Sequence, residues 1–233
     1  MSEVTEQERS SVEQAAGRQF EAIRRVLSQR RRAIPMSMSE LGRRVGVSPS
    51  MISQIERGQT LPSVGTLFSL AAVLGVTVDA FLEEPAAAGQ GTDATPLPAE
   101  TDPAEELYVV RGDARPRIQI HGGVSWERLT PRSLGEVEFL ELVYEAGAES
   151  DPELYRHPGI EMVLVLSGSF EILLGFARYL LEEGDSILFP SSLPHRYVNP
   201  GDSTSRAVTV ILRDGIGGPP RTERLGIERE DQR

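Results

Sequence analysis

The chain has 233 residues, enough for one large or two small domains. Hydrophobic residues make up 39% and charged residues 25%, a globular composition with no apolar run near the roughly 20 residues that cross a bilayer. Cysteine is absent, which excludes disulfides, thiolate metal sites and a cysteine nucleophile, and the acidic start MSEVTEQERSSVEQ lacks the features of a secretory signal, so a cytoplasmic location without membrane contact is expected.

The net charge of −11 is unevenly spread. Residues 17–62 carry nine Arg against Glu21, Glu40 and Glu56, a net of +6, whereas residues 63–233 carry fourteen Arg against twenty-eight acids. A small basic segment on a larger acidic body suggests a nucleic-acid module joined to something else. Every basic residue is Arg, which reads as codon bias and not as function.

Residues 1–16 have no apolar periodicity and read as a disordered arm, leaving 17–82 as the first domain. Phe20, Ile23 and Leu27 mark a first helix ending before Pro35. Ser37-Met38-Ser39-Glu40 has the form of a capping box and opens a second helix through Leu41 and Val45. After a Gly46-Val47 turn, Ser48-Pro49 starts a third helix that carries Ile52 and Ile55 and stops at Gly58. Ser63 caps a fourth, with Val64, Leu67, Leu70, Ala71 and Leu74, ending at Gly75; Thr77 caps a short fifth ending at Phe81-Leu82. Residues 83–104, with four Pro, two Gly and six Ala, cannot pack a core and read as a flexible linker. In the second domain, 105–213, the period becomes two. LYVV, RIQI, VEFLELVY, EMVLVL, SFEILL, ARYLL, SILF and AVTVIL are eight expected strands, which suits a sandwich or barrel. Residues 214–233 return to Gly, Pro and charge and read as a loose tail.

Helices two and three, joined through Gly46-Val47, have the helix-turn-helix pattern. Their apolar residues leave Ser48, Pro49, Ser50, Ser53, Gln54 and Arg57 on the outer face of the third helix. Gln54 can pair bidentately with adenine and Arg57 can reach guanine or phosphate. Arg43 and Arg44 lie where the preceding helix crosses the DNA backbone. The run GVSPSMISQIERGQTLPSVGTLFSLAAVLGVTVDAFL resembles the lambda-repressor-like helix-turn-helix of the XRE family, over residues 18–82. Met38 stands where that family often has a Gln contacting DNA. The resemblance implies a five-helix DNA-binding domain working on double-stranded operator DNA as a homodimer.

The strand domain holds two unusual segments, Tyr155-Arg156-His157-Pro158-Gly159-Ile160-Glu161 and Gly184 to Asn199, which contain two of the three His. An even spacing would put His157 and Glu161 on one face of an extended chain, a point that Pro158-Gly159 leaves open. These segments resemble the two cupin motifs: His157 and Glu161 match the second His and the Glu of the first, and Gly184, Pro190, His195 and Asn199 match the second, with Ser192 at a usual Gly. Tyr155 stands at the first His. The resemblance implies an all-β double-stranded β-helix barrel. It also implies one divalent transition metal, Fe, Mn, Ni or Zn, on His157, Glu161 and His195, with Tyr155 as a candidate fourth ligand. Two imidazoles and a carboxylate suit such ions and leave positions open. A hydrogen-bonded polar network without metal is the competing account of the same side chains. His121 reads as an exposed turn residue. Trp126, Phe139, Phe170, Phe189 and Tyr197 read as core or as lining of the barrel mouth, and Arg128, Arg156 and Arg196 as solvated surface residues or candidate contacts for an anion.

Together the two resemblances imply a transcriptional regulator whose β domain senses a small-molecule effector of unknown identity and aids dimerisation. No catalytic residues are assigned. The alternative is a mononuclear non-haem metal-dependent cupin oxygenase that carries a helix-turn-helix domain.

Overall fold

The computed structural model describes residues 22–82 and 108–213. The expected arm 1–16, the linker 83–104 and the tail 214–233 lie outside them. The helical half comprises α1 (helical over 22–33), α2 (Met38–Val45), α3 (Pro49–Glu56) and α4 (Val64–Leu74). Its caps are those expected. Ser37, Ser48 and Ser63 accept from the amides of Glu40, Met51 and Thr66, and α2 and α4 end on left-handed Gly46 and Gly75. Only half of the capping box forms, because the Glu40 carboxylate turns to Arg43 and Arg44. The expected fifth helix is a single 3-10 turn, Val78–Phe81. Thr77 makes no side-chain cap there, and the Val78 amide donates to Glu138 of the β domain instead.

The other half is antiparallel. β1 (Arg117–Ile120), β2 (Val124–Arg128), β3 (Val137–Tyr144), β9 (Ser205–Leu212), β4 (Ile160–Ser167) and β7 (Ser186–Pro190) form a six-stranded sheet in that order. β6 (Ala177–Glu182), β5 (Ser169–Leu174) and β8 (His195–Val198) form a three-stranded one. The sheets meet through their inner faces, with Tyr144 edge-on to Phe170 at 5.2 Å and Tyr197 bonded to Glu161. Two strands were not expected: β2, where Ser125 and Glu127 interrupt the apolar pattern, and β8, which starts on His195. Of LYVV, Leu107 lies outside the described residues and the other three form no strand: Val109 and Val110 lie outside the sheets and Tyr108 is 80% exposed.

The halves are packed on each other and share one cluster of buried apolar side chains. The first amides of α4, on Val64 and Gly65, donate to Ser150 O at 3.0 Å and Asp151 Oδ2 at 3.2 Å. Free amides and a positive dipole end make a helix N-terminus a good partner for such oxygens. The His121 amide donates to Pro62 O, and Ser133 Oγ to Asp79 Oδ1. No helix among the described residues is long and apolar enough to cross a membrane.

Candidate functional site

Two places in the fold concentrate the chemistry. On α3, Ile52 and Ile55 are buried, which turns Ser48, Pro49, Ser50, Gln54 and Arg57 outward as exposed residues and leaves Ser53 half-buried. Arg57 Nε donates to Gln59 Oε1 at 3.1 Å. Arg43 and Arg44 are exposed on α2 and share Glu40, whose carboxyl their hydrogen bonds lower to about 2. Arg31 ties α1 to Glu56 at the end of α3, so α3 is braced from behind. All eight candidate DNA contacts therefore lie on one helix-turn-helix unit, seven of them exposed.

The second place is inside the β domain. Glu161 points inward from β4, between Phe189 of β7 and Ile211 of β9. His195 opens β8. Tyr155 forms a two-bond antiparallel bridge with His195, and the His157 amide donates to Ser191 O, which brings His157 over the same interior. The backbone at Gly159 has a φ of 118°, and a Cβ there would run into the Leu212 carbonyl, so Pro158-Gly159 is a kink only Gly can make. This kink is why the spacing of His157 and Glu161 could not be read as plain strand.

One ligand atom from each of His157, Glu161 and His195 lies within 4.8 Å of the others, and all three residues are buried. Each is oriented from behind. His195 Nδ1 lies 2.7 Å from Leu193 O and must donate to it, which leaves the Nε2 lone pair facing the site. Glu161 Oε1 accepts from Tyr197 Oη at 2.7 Å and Thr209 Oγ1 at 3.2 Å. What remains is Glu161 Oε2, His195 Nε2 and both nitrogens of His157, all buried and without a hydrogen-bond partner. Oε2 is 3.2 Å from His157 Nε2 and 3.6 Å from His195 Nε2. Orphaned buried polar atoms converging in this way fit a divalent ion, which would take up Glu161 Oε2 and the two Nε2 atoms, with His157 Nδ1 carrying its ring proton. Burial works to raise the Glu161 carboxyl, but close contact with His157, the charges of both His and the Tyr197 hydrogen bond hold it below its ordinary range.

Tyr155, the candidate fourth ligand, sits beside this set. Its ring is edge-on to His195 at 4.6 Å, and burial pushes its pKa well up. Asn199, a motif residue, holds a loop by donating to Tyr144 O, Glu145 O and Ser203 O. Of the three arginines considered for an anion, Arg128 is buried against Thr130 O, Arg196 pairs with Glu149, and Arg156 is exposed. His121 is exposed in its turn, as expected.

Tyr197, which the sequence offers as core or mouth lining, lies two positions after His195 and shares its face; Thr209, the other donor to Glu161, carries no sequence signal. Phe68 of α4 was not singled out at all. Its ring is stacked on His157, with centroids 3.9 Å apart and planes 8° from parallel.

Known proteins resemble both halves. The helix-turn-helix family profile matches residues 27–81 and the cupin domain profile residues 140–211. The HTH-type transcriptional regulator SutR of Escherichia coli (strain K12) is 27% identical over 178 residues, covering 76% of this chain and 87% of SutR. Protein SchB of Streptomyces halstedii is 30% identical over 105 residues, covering 45% of this chain and 76% of that protein. A crystal structure of a helix-turn-helix family transcriptional regulator from Vibrio cholerae superposes with a TM-score of 0.59, covering 84% of this chain and 98% of that one, at 20% identity; it shows the shared fold.

The buried imidazole has a measurable consequence. Burial lowers the pKa of His195, opposed by the charge of Glu161, aided by that of His157 and opposed by Leu193 O. As pH falls through about 6.5, the unfolded chain binds a proton that native His195 refuses, so stability is lost. Calorimetry on the metal-free full chain should show Tm falling from about pH 7.5 to 5.5, with a shallower slope in His195→Gln. Equal slopes in the two proteins would contradict this assignment.

Proposed function

The chain belongs to the XRE-type helix-turn-helix transcriptional regulators that carry a cupin domain, and from that premise we propose that α3 reads operator DNA while the β domain senses a small molecule at a metal ion. The observation that carries the first part is the outer face of α3. Its exposed side chains are short or hydrogen-bonding and stand in the basic segment of an otherwise acidic chain. Gln54 and Arg57 are the base-reading candidates, Ser48, Pro49, Ser50 and Ser53 the close-approach surface, and Arg43 and Arg44 the phosphate contacts. The acidic remainder of the chain would be repelled by DNA, which favours approach by this face alone. Such a role places the protein with the chromosome, in the cytoplasm.

For the β domain, a double-stranded β-helix in this reading, His157 Nε2, Glu161 Oε2 and His195 Nε2 would hold one divalent transition ion, Fe, Mn, Ni or Zn. The bound ion would supply open coordination positions for an effector with oxygen or nitrogen donors. Tyr197 and Thr209 fix Glu161, Leu193 O fixes His195, and Tyr155 orients His195 from the side. A second reading, a mononuclear non-haem oxygenase, is favoured by the same three ligands; iron-dependent oxygen consumption would separate it.

A homodimer follows from the two half-sites that helix-turn-helix readers engage, about one helical turn apart. The surface we assign to it is the outer face of β7, β4 and β9. There Met162 pairs with Leu188 and Val210, and Leu164 with Val208, an apolar strip in which Leu164 and Leu188 are 43% and 48% exposed. A second copy of the same strip is the occupant that a two-fold axis requires.

Three outcomes are expected. In gel retardation with the full chain and its own genomic DNA, Gln54→Ala and Arg57→Ala should each cost roughly 1–3 kcal/mol at the specific site, while Arg43→Ala weakens specific and non-specific binding alike. No retardation by wild type at low salt would end the DNA reading. Added Mn(II) or Zn(II) should raise the Tm of wild type and not of Glu161→Ala, by mass action on the native state; identical melting in both would make the three side chains a polar network only. Sedimentation should find a dimer for wild type and a monomer for Leu164→Arg/Leu188→Arg. A monomeric wild type at micromolar concentration, or a dimeric variant, would remove the strip from the interface.

A further inference from the structure

The His157–Glu161–His195 site is closed by the DNA-binding domain. Phe68 projects from α4, is itself 5% exposed, and lies flat on the His157 ring at 3.9 Å. That separation is van der Waals contact, so no atom fits between the rings. Around Phe68 stand Tyr155, nearly parallel at 5.8 Å, and Trp126, edge-on at 5.8 Å. The helix that carries Phe68 is held down at its N-terminus by the bonds from Val64 and Gly65 to Ser150 and Asp151. Gly65 is pressed so closely on the β domain that an added Cβ would lie 2.9 Å from the Tyr155 Cβ. The side chains that have unpartnered atoms facing the site are therefore sealed by a residue of the other domain, through a contact with one of them.

We propose that docking of α4 and binding of an effector on the α4-facing side of the His157 ring are mutually exclusive: any molecule that covers that ring face must displace Phe68 and, with it, the docking of the helix-turn-helix domain on the β domain, whereas an ion held in the ring plane at Nε2 need not. This deepens the sensing role and rests on it for the existence of a ligand, though the closure itself is independent of any metal. The device needs no long-range pathway. The ligand and one side chain of the DNA-binding domain compete for the same ring face, which gives the ligand different affinities for the docked and undocked states.

Two full-chain variants test it. Phe68→Ala removes the plug. Gly65→Leu is a wedge: it places a side chain against Tyr155 and Asp151, raises helix propensity within α4, and leaves Phe68 and the three site residues unchanged. Diethyl pyrocarbonate acylates accessible neutral imidazole, and peptide mass spectrometry resolves the three His, with exposed His121 as internal standard. In wild type His157 should be strongly protected relative to His121. In both variants its acylation rate should rise by about tenfold or more, with His121 unchanged, as for loss of a local closing contact. Trp126 is the only tryptophan and is 3% exposed, so its emission should shift to the red in both variants. If His157 is as protected in both variants as in wild type, or as reactive in wild type as in the variants, the proposal is overturned. Zn(II) alone, added to each protein, addresses the other reading separately. Protection of His157 and His195 from acylation in Gly65→Leu supports a metal there; its failure removes the metal and leaves the comparison between wild type and variants to judge Phe68.

Discussion

The fold turns on how α4 packs. Of its eleven residues, Val64, Gly65, Leu67, Phe68, Leu70, Ala71 and Leu74 are buried. A surface helix of a small bundle shows one apolar stripe; a helix apolar on several sides has partners on several sides. Here α4 packs on α2 and on the 3-10 turn that follows it, and Gly65 and Phe68 make the contact with the β domain. One short helix thus packs against α2 on one flank and covers the buried His157 on the other. The small Gly65 permits the approach, and the amides of Val64 and Gly65 find oxygens across the gap that would otherwise be left to water.

Inside the β domain the organising constraint is an unequal division of one carboxylate. Glu161 Oε1 takes two hydrogen bonds, from Tyr197 and Thr209, and Oε2 takes none. Burying half of an acceptor unsatisfied is costly, as is burying three imidazole nitrogens beside it. The arrangement makes sense where something else completes it. A divalent ion would satisfy the acceptors as a group, and the hydrogen bond from His195 to Leu193 O sets the tautomer that such an ion requires. The Phe68 stack covers His157 without satisfying its nitrogens, which is what a removable cover should do.

Much of this was legible in the sequence. Ser37, Ser48, Ser63, Gly46, Gly58 and Gly75 mark helix ends by local chemistry, and local chemistry survives folding. The pairing of His157 and Glu161 with His195 was legible only through resemblance to cupin motifs, because the kink at Gly159 breaks the period of two that would have put them on one face. The fifth helix failed for a tertiary reason: Val78 donates to Glu138, 60 residues away, and four residues cannot sustain a helix on propensity. β2 and β8 were missed because Ser125, Glu127, His195 and Arg196 break the apolar pattern, although Glu127 is paired with Arg115 and Arg117 and His195 with the site. LYVV is apolar enough to read as strand, yet among the described residues no neighbouring strand takes up Tyr108, Val109 or Val110. Phe68 left a trace in the unusual apolar breadth of α4, but its partner lies 89 residues on, and nothing local names it.

The central claim is that this chain finds particular DNA sequences through α3. The most direct measurement is a genome-wide map of the tagged full-length protein in its own cells, beside the same map for Gln54→Ala/Arg57→Ala. The account predicts discrete sites with a shared two-fold sequence element in wild type, lost in the variant while protein level and fold are retained. Uniform background in wild type, or an unchanged set of sites in the variant, would contradict it.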